Sequence, residues 1–308
     1  MQDMNLPQLA AEFGSEEKSR AYLEALRWRD GVSCPRCASR KISRVLKRGQ
    51  FDCDSCRYQF SVTAGTIFHD SHLPLWKWLL ATYMMVEAKK GVSANQLKRT
   101  LAVSYKTAWY LCHRIRAAMK DANPTPLTGV VEVDETYVGG KARNRHGGRL
   151  AGGLSGAGKN IPDKTVVIGA VQRGGNVRLK VIPVAKKKYM TEFIRESTTP
   201  NAEIYTDDHR AYQDLSLHGV AHKSVNHSAG EYVRADVHSN TIEGVWSLFK
   251  RSIVGSYHQL SVKHMPAYLD EIAFRFNNRH NPYLFRDTVL KLLGASAVPF
   301  KTLVADPH

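Results

Sequence analysis

The spacing of apolar residues changes along the chain, and each change marks a structural border. Up to residue 30, Tyr22, Leu23 and Leu26 fall on one side of a helical pattern with Trp28 after them, which predicts a short helical lead-in. From Leu73 to Lys120 the spacing is helical again, until Pro124 and Pro126 interrupt it and make 121–128 the expected linker. Beyond it the period shortens. Runs dense in Val and Ile at 130–138, 165–173 and 176–184 read as strands, the last two joined at Gly174 and Gly175 as a hairpin. A helix at about 190–198 precedes a short strand, Glu203 to Thr206, that ends in Asp207. Helical stretches follow at about 239–252 and 263–279, and in the second Met265, Tyr268, Leu269, Ile272 and Phe276 share one face.

Three antiparallel strands, then alternating helix and strand, then helices, define an α/β class: a mixed sheet with helices against it, compatible with a ribonuclease H-like fold. The expected organisation is a lead-in and cysteine-bearing segment at 1–62, a helical region at 63–122, the sheet domain at 129–285 and a C-terminal tail at 286–308. The Gly-rich stretch from Gly139 to Asn160, with Lys141, Arg143, Arg145, Arg149 and Lys159, is either a loop or a DNA-contacting arm.

Charge narrows the class of partner. Forty-four Lys and Arg against 28 Asp and Glu give a formal net charge of +16, so a polyanion is the first partner to expect. The most apolar stretch, Leu73 to Val86, contains Lys77 and is too short to span a bilayer, and no secretory signal is read. The expectation is a cytoplasmic, nucleoid-associated protein with no membrane partner.

Cys34-Pro35-Arg36-Cys37 and Cys53-Asp54-Ser55-Cys56 form two C-x2-C pairs. Two tight turns, each presenting two thiolates, supply the four tetrahedral ligands that Zn²⁺ takes. Lys41 to Val45 and Gln50 to Asp52 are the expected strands of a zinc ribbon, whose core is too small to fold without metal. Lys47, Arg48, Arg57, Tyr58 and Phe60 would suit DNA, and a structural or protein-binding ribbon is the alternative. Cys112 stands alone and reads as a small buried apolar residue.

Ser93 begins a capping box with Gln96, and Ser104 is positioned to cap a second helix after a tight turn. The pair reads as a helix-turn-helix-like region. Ala108, Leu111, Cys112, Ile115 and Met119 form the expected inward face, which leaves Lys106, Tyr110, His113 and Arg114 outward as candidate DNA contacts.

Three segments carry carboxylates. In the first, VVEVDETYVGG, alternation puts Glu132, Asp134 and Thr136 on one face of a strand whose valines argue for burial, and a buried carboxylate needs a partner such as a metal ion. The second, EIYTDDHRAY, places Asp207 and Asp208 at the carboxyl end of an apolar strand. In the third, HSNTIEGVWSLFKR, Asn240, Glu243, Ser247 and Lys250 fall on one helical face. Asp134, Asp207 and Glu243 are therefore the candidate catalytic and metal-binding residues for two-metal phosphodiester chemistry with Mg²⁺ or Mn²⁺. Asp208 and Asn240 remain open as further ligands.

These motifs, with GSYHQLS after the third and FRFNNR at Phe274 to Arg279, resemble the DDE insertion-sequence transposases, in particular the ISXO-like group that joins a zinc ribbon to a ribonuclease H-like domain. By motif, the resemblance implies that Asp134, Asp207 and Glu243 are the catalytic acids, and that Lys250, with Arg251 beside it, contacts the DNA backbone. It further implies cleavage at the ends of an element, attack of the freed 3′ hydroxyl on target DNA, and a dimer or larger assembly on double-stranded terminal repeats. A ribonuclease H-like nuclease or resolvase, and a domesticated DNA-binding regulator, are the rival readings.

Overall fold

In the computed structural model, which describes residues 4–139, 164–207, 212, 221–225 and 240–305, the chain separates into two units. One comprises Met1–Lys120, Gly255–His258 and Asn278–His308; the other comprises Asp121–Val254 and Gln259–Asn277. The basic stretch 140–163 and Asp208 lie outside the described residues.

The lead-in of the first unit is two helices. Helix α1 (Leu6–Phe13) is capped by Asn5, and α2 (Glu16–Arg27) by the Ser15 side chain. The cysteine segment forms a three-stranded antiparallel sheet, β1 (Ile42–Val45), β2 (Gln50–Cys53) and β3 (Gln59–Phe60), in that order. Its core is Phe51 and Phe60 with Trp28 edge-on to both rings, a cluster far smaller than that of an independent domain. Helices α3 (Leu75–Glu87), α4 (Ala94–Leu101) and α5 (Tyr105–Met119) follow. Ser93 and Ser104 cap α4 and α5 through their hydroxyls, as their positions foretold. Residues expected to trail as a tail instead form α9 (Leu284–Gly294) and a short α10 (Phe300–Val304) within this unit. Phe285, Val289 and Leu292 of α9 are buried, which an extended tail would not allow.

The second unit is built on a five-stranded sheet. Its strands are β4 (Val130–Val138), β5 (Thr165–Gln172), β6 (Val177–Ile182), β7 (Glu203–Asp207) and β8 (Ala221–Val225), ordered β6-β5-β4-β7-β8. The first three pair antiparallel, while β7 is parallel to β4 and β8 is parallel to β7. This mixed order is that of a ribonuclease H-like sheet. The β5–β6 hairpin turns at Gly174, whose φ of +70° lies in the left-handed region open to glycine. Helix α6 (Lys187–Ser197) covers one face through Met190, Phe193 and Ile194. Helices α7 (Asn240–Ser252) and α8 (Met265–Asn277) cover the other through Ile242, Val245, Trp246, Phe249, Leu269 and Ile272. The end of α8 is tied to β6 by Asn277, which accepts from Val177 N at 2.7 Å and donates to Val177 O at 3.2 Å. Strand β8 carries no strand signature in its sequence, because His222, Lys223 and Ser224 break any apolar alternation.

Candidate catalytic site and metal centre

The period of two along β4 sends Glu132, Asp134 and Thr136 to the face covered by α7 and sends Val131 and Val133 to the α6 face. The parallel pairing of β4 with β7 runs as far as Glu132 with Tyr205, and two residues further along each strand stand Asp134 and Asp207. Asp134 lies in the middle of β4 and Asp207 ends β7, and the two carboxylates are near enough for their charges to act on one another. Burial, with the charges of Glu135 and Asp207 adding to it, pushes the Asp134 carboxyl up to about 7, against the opposing pull of a hydrogen bond from Trp246. That bond, Nε1 to Oδ2, is 2.9 Å. A buried carboxylate crowded by like charges favours either a proton or a cation.

Glu132 is fully buried yet well partnered. Arg173 Nε and Thr241 Oγ1 donate to Oε1 at 2.8 and 2.9 Å, and the backbone N–H groups of Thr241 and Ile242 donate to Oε2 at 2.8 and 3.1 Å. Glu135, on the opposite face, accepts from Tyr212 Oη at 2.8 Å. Tyr212 is deeply buried, and desolvation together with the Glu135 charge raises its hydroxyl well above its ordinary value.

On α7 the expected division holds: Asn240, Glu243, Ser247 and Lys250 are exposed, and Val245 and Phe249 are buried. Arg251 is exposed as well. The structure thus brings Asp134 and Asp207 together and leaves Glu243 on the solvent side of the helix, three residues before the indole that touches Asp134. Among the described residues, the group of three or more ligating side chains close enough to share a single ion is the cysteine quartet, and the three carboxylates do not form one. A pair of ions about 4 Å apart needs a wider spread of ligands than a single ion does. The donor set, all hard carboxylate oxygens, fits Mg²⁺ or Mn²⁺.

In the ribbon all four thiols converge, with their Sγ atoms within 4.8 Å of one another. Cys34 Sγ lies 3.7 Å from Cys56 Sγ, and Cys37 Sγ lies 3.5 Å from Cys53 Sγ. A tetrahedron with Zn–S bonds of about 2.3 Å has edges of about 3.8 Å, so the cage fits zinc. Each pair is followed by a left-handed residue, Ala38 at φ +59° and Arg57 at φ +57°, which turns the backbone back beneath the thiols. Desolvation opposes the Cys53 thiolate, but donation from the backbone N–H groups of Cys56 and Ser55 and from neighbouring thiols brings it down to about 6.

The outward face expected of α5 needs correction. Its inward residues Ala108, Leu111, Cys112, Ile115 and Met119 are all buried, and Lys106 is exposed. His113 and Arg114, however, are also buried. The Arg114 guanidinium donates to the carbonyls of Ile67 and of His69, the latter at 2.8 Å, and lies over the rings of Trp78 and Tyr110. His113 packs on Trp109 with ring centroids 4.3 Å apart. Tyr110 is half-buried and donates its hydroxyl to Val298 O at 2.6 Å. For Arg114 and Tyr110 the carbonyls of Ile67, His69 and Val298 and the ring of Trp78 come from segments distant in sequence, so helical spacing alone could not show these side chains turning inward. The exposed residue missed in the sequence is Tyr105, at the start of α5 beside Lys106.

A ribonuclease H-like sheet holding paired aspartates, in a chain that also carries a four-cysteine ribbon, defines the class of DDE-type transposases. Residues 126–277 match the ISXO2-like transposase domain, and residues 14–59 match the transposase zinc-ribbon domain. A protein in transposable element ISH50 of Halobacterium salinarum is 35% identical over 249 residues, 78% of this chain and 83% of that relative. The chain belongs to the ISXO2-like transposase family. A transposase-like protein of Haemophilus influenzae is 30% identical over 98 residues, 32% of this chain and 78% of its own length. Among solved structures, the Mos1 strand transfer complex aligns at 12% identity over 70% of this chain and 75% of that chain, with a TM-score of 0.29. A likeness that slight does not bear on the geometry of the site. Among the described residues, no helix is long and apolar enough to cross a membrane.

Proposed function

We propose that this transposase cleaves double-stranded DNA at the ends of its element and joins the freed 3′ hydroxyl ends to target DNA, with Asp134, Asp207 and Glu243 as the catalytic carboxylates. The observation that carries the reading is the placement of Asp134, in the middle of β4, close to Asp207, which ends the parallel strand β7, with Asp134 pushed up to about 7 by burial and by its acidic neighbours. A divalent cation pair held there would supply an activated water or hydroxyl and a stabilised leaving oxygen.

The chain's own residues set the geometry of the reaction. Asp134 and Asp207 are fixed on adjacent strands of the sheet, and Glu243 approaches from α7, whose first turn is bound to β4 through Glu132. Lys250 and Arg251 are exposed in the last turn of the same helix, positioned for the phosphate backbone of a bound end. Lys106 and Tyr105 at the start of α5 stand where the second helix of a helix-turn-helix reaches bases. The ribbon thiols hold structural zinc. A net charge of +16 matches a polyanionic substrate, and the protein acts as a dimer or larger assembly on paired ends.

The test is Mg²⁺-dependent cleavage and strand transfer by the purified full-length protein, on DNA carrying the sequences that flank its own gene. Wild-type protein joins such ends to a target plasmid, and Asp207→Ala does not. Unchanged joining by Asp207→Ala would sink the assignment.

A further inference from the structure

We propose that Glu132 and Trp246 are positioning residues that set helix α7, and with it Glu243, against Asp134. The inference rests on the carboxylate assignment proposed above and adds two residues to it that hold no metal.

A carboxylate as deeply buried as Glu132 costs several kcal/mol unless its oxygens are satisfied. Three hydrogen bonds to it come from the first turn of α7: from the backbone N–H groups of Thr241 and Ile242 and from the Thr241 hydroxyl. Those N–H groups have no partner inside the helix, and the helix dipole favours a negative charge at that end. A further bond, from Arg173, holds the carboxylate from the sheet side. Glu132 is therefore a fixed socket for the start of α7.

Trp246 makes the second attachment, from its indole Nε1 to Asp134 Oδ2. The spacing of the two attachments agrees. From Glu132 to Asp134 a strand rises about 6.6 Å, and from Thr241 or Ile242 to Trp246 a helix rises about 6.0 to 7.5 Å. Helix α7 can thus run alongside β4 with both bonds made. Apolar packing of Ile242, Val245 and Phe249 on Val167 and Val171 would by itself tolerate a slide or a roll, because dispersion contacts have little direction. Two hydrogen-bonded points fix both movements, and Glu243 lies between them in sequence.

The indole also limits Asp134. Donation to Oδ2, with a backbone hydrogen bond at Glu135 beside it, holds the carboxylate in one orientation, which is how outer groups orient the ligands of a metal.

The experiment compares Trp246→Phe, which keeps a ring and removes the N–H, with Glu132→Gln, which keeps shape and removes charge, in the full-length protein. Mn²⁺ binding is measured by calorimetry without DNA, and cleavage kinetics are measured on DNA carrying the element's flanking ends. Asp134→Ala is the control. The expected result is a 10- to 100-fold loss in Mn²⁺ affinity and in kcat for both variants, at a KM for DNA within about twofold of wild type. Wild-type Mn²⁺ binding and kcat in a folded Trp246→Phe protein, with Asp134→Ala inactive, would overturn the positioning role and leave the carboxylate assignment standing. A loss of activity in step with the unfolded fraction, seen in thermal melts, would overturn it too. Activity retained by Asp134→Ala would instead remove the assignment beneath it. If Glu132→Gln does not fold, Trp246→Phe decides alone.

Discussion

Gly169 sits directly across the β4–β5 ladder from Asp134, and the space its missing side chain leaves is filled by the Trp246 indole. A Cβ there would meet Trp246 Cη2 at 2.7 Å and Cζ2 at 2.8 Å, with Ile242 Cδ1 at 3.0 Å. The glycine is required by this close approach of helix to sheet, whereas Gly174 is required by its turn. Gly169→Ala is expected to lower stability by about 1–3 kcal/mol through overpacking, read as a lower midpoint in urea. A midpoint equal to that of wild type would show that the indole has room to move.

Asp134 gives the molecule a pH signature of defined sign. Its folded value of about 7 is above the ordinary 3.8, so between roughly pH 4 and 7 the folded protein keeps a proton that the unfolded chain has released. Stability contributed by this group is therefore present at low pH, is lost as pH rises through that window, and stays lost above it. Asp134→Asn removes the titration. At pH 8 the variant is expected to be more stable than wild type by roughly 2–4 kcal/mol, and near pH 4 the difference vanishes. Mg²⁺ added at pH 8 should raise the melting temperature of wild type and not of the variant, because only the charged carboxylate attracts the cation. Identical pH profiles for the two proteins would contradict the placement of Asp134.

Much of this architecture is legible in the sequence, and the parts that are not share a cause. The strand at 130–138, the hairpin through Gly174, the caps at Ser93 and Ser104 and the two-sided helix at 240–252 all follow from local rules of period and capping. The cysteine quartet follows from spacing, since four thiols on two turns have few other uses. What could not be read depends on partners far along the chain. Arg114 looks like a surface charge until the carbonyls of Ile67 and His69 are placed beside it. Alternation put Glu132 on the face of Asp134, but its partners at Thr241 and Ile242 lie more than a hundred residues away. Helix α9 was missed because its burial is against elements at the other end of the chain.

The ribbon is expected to depend on zinc for its fold. Its buried apolar residues are few, chiefly Phe51, Phe60 and Ala64 beside two of the cysteines, and such a cluster does not offset the entropy of ordering the segment. Chelation should speed amide exchange across residues 42–60, while the amides of β4 and β5 keep their protection. The left-handed residues offer a second check. Ala38 and Arg57 each carry a conformation that costs an L-residue about 1–2 kcal/mol, so Ala38→Gly should tighten zinc binding modestly. Weaker zinc binding by that variant, measured by chelator competition, would contradict the turn geometry.

Arg114 and Lys106 separate the structural and recognition roles of α5. Replacing Arg114 by Met keeps much of the side chain's bulk but leaves the Ile67 and His69 carbonyls without their donor, and an unsatisfied buried acceptor costs about 1–3 kcal/mol. Arg114→Met should therefore destabilise the protein by at least that much, since it also ends the stacking on Trp78. Lys106 is exposed, with its ammonium 4.6 Å from the centre of the Phe300 ring, so Lys106→Ala should lower stability by no more than about 1 kcal/mol. Its effect should appear in binding: weaker affinity for element-end DNA and a slope of log affinity against log salt reduced by about one. The reverse pattern, with Arg114→Met stable but poor at binding and Lys106→Ala indistinguishable from wild type in titrations across salt, would mean that the buried face of α5 and not its exposed first turn meets the DNA.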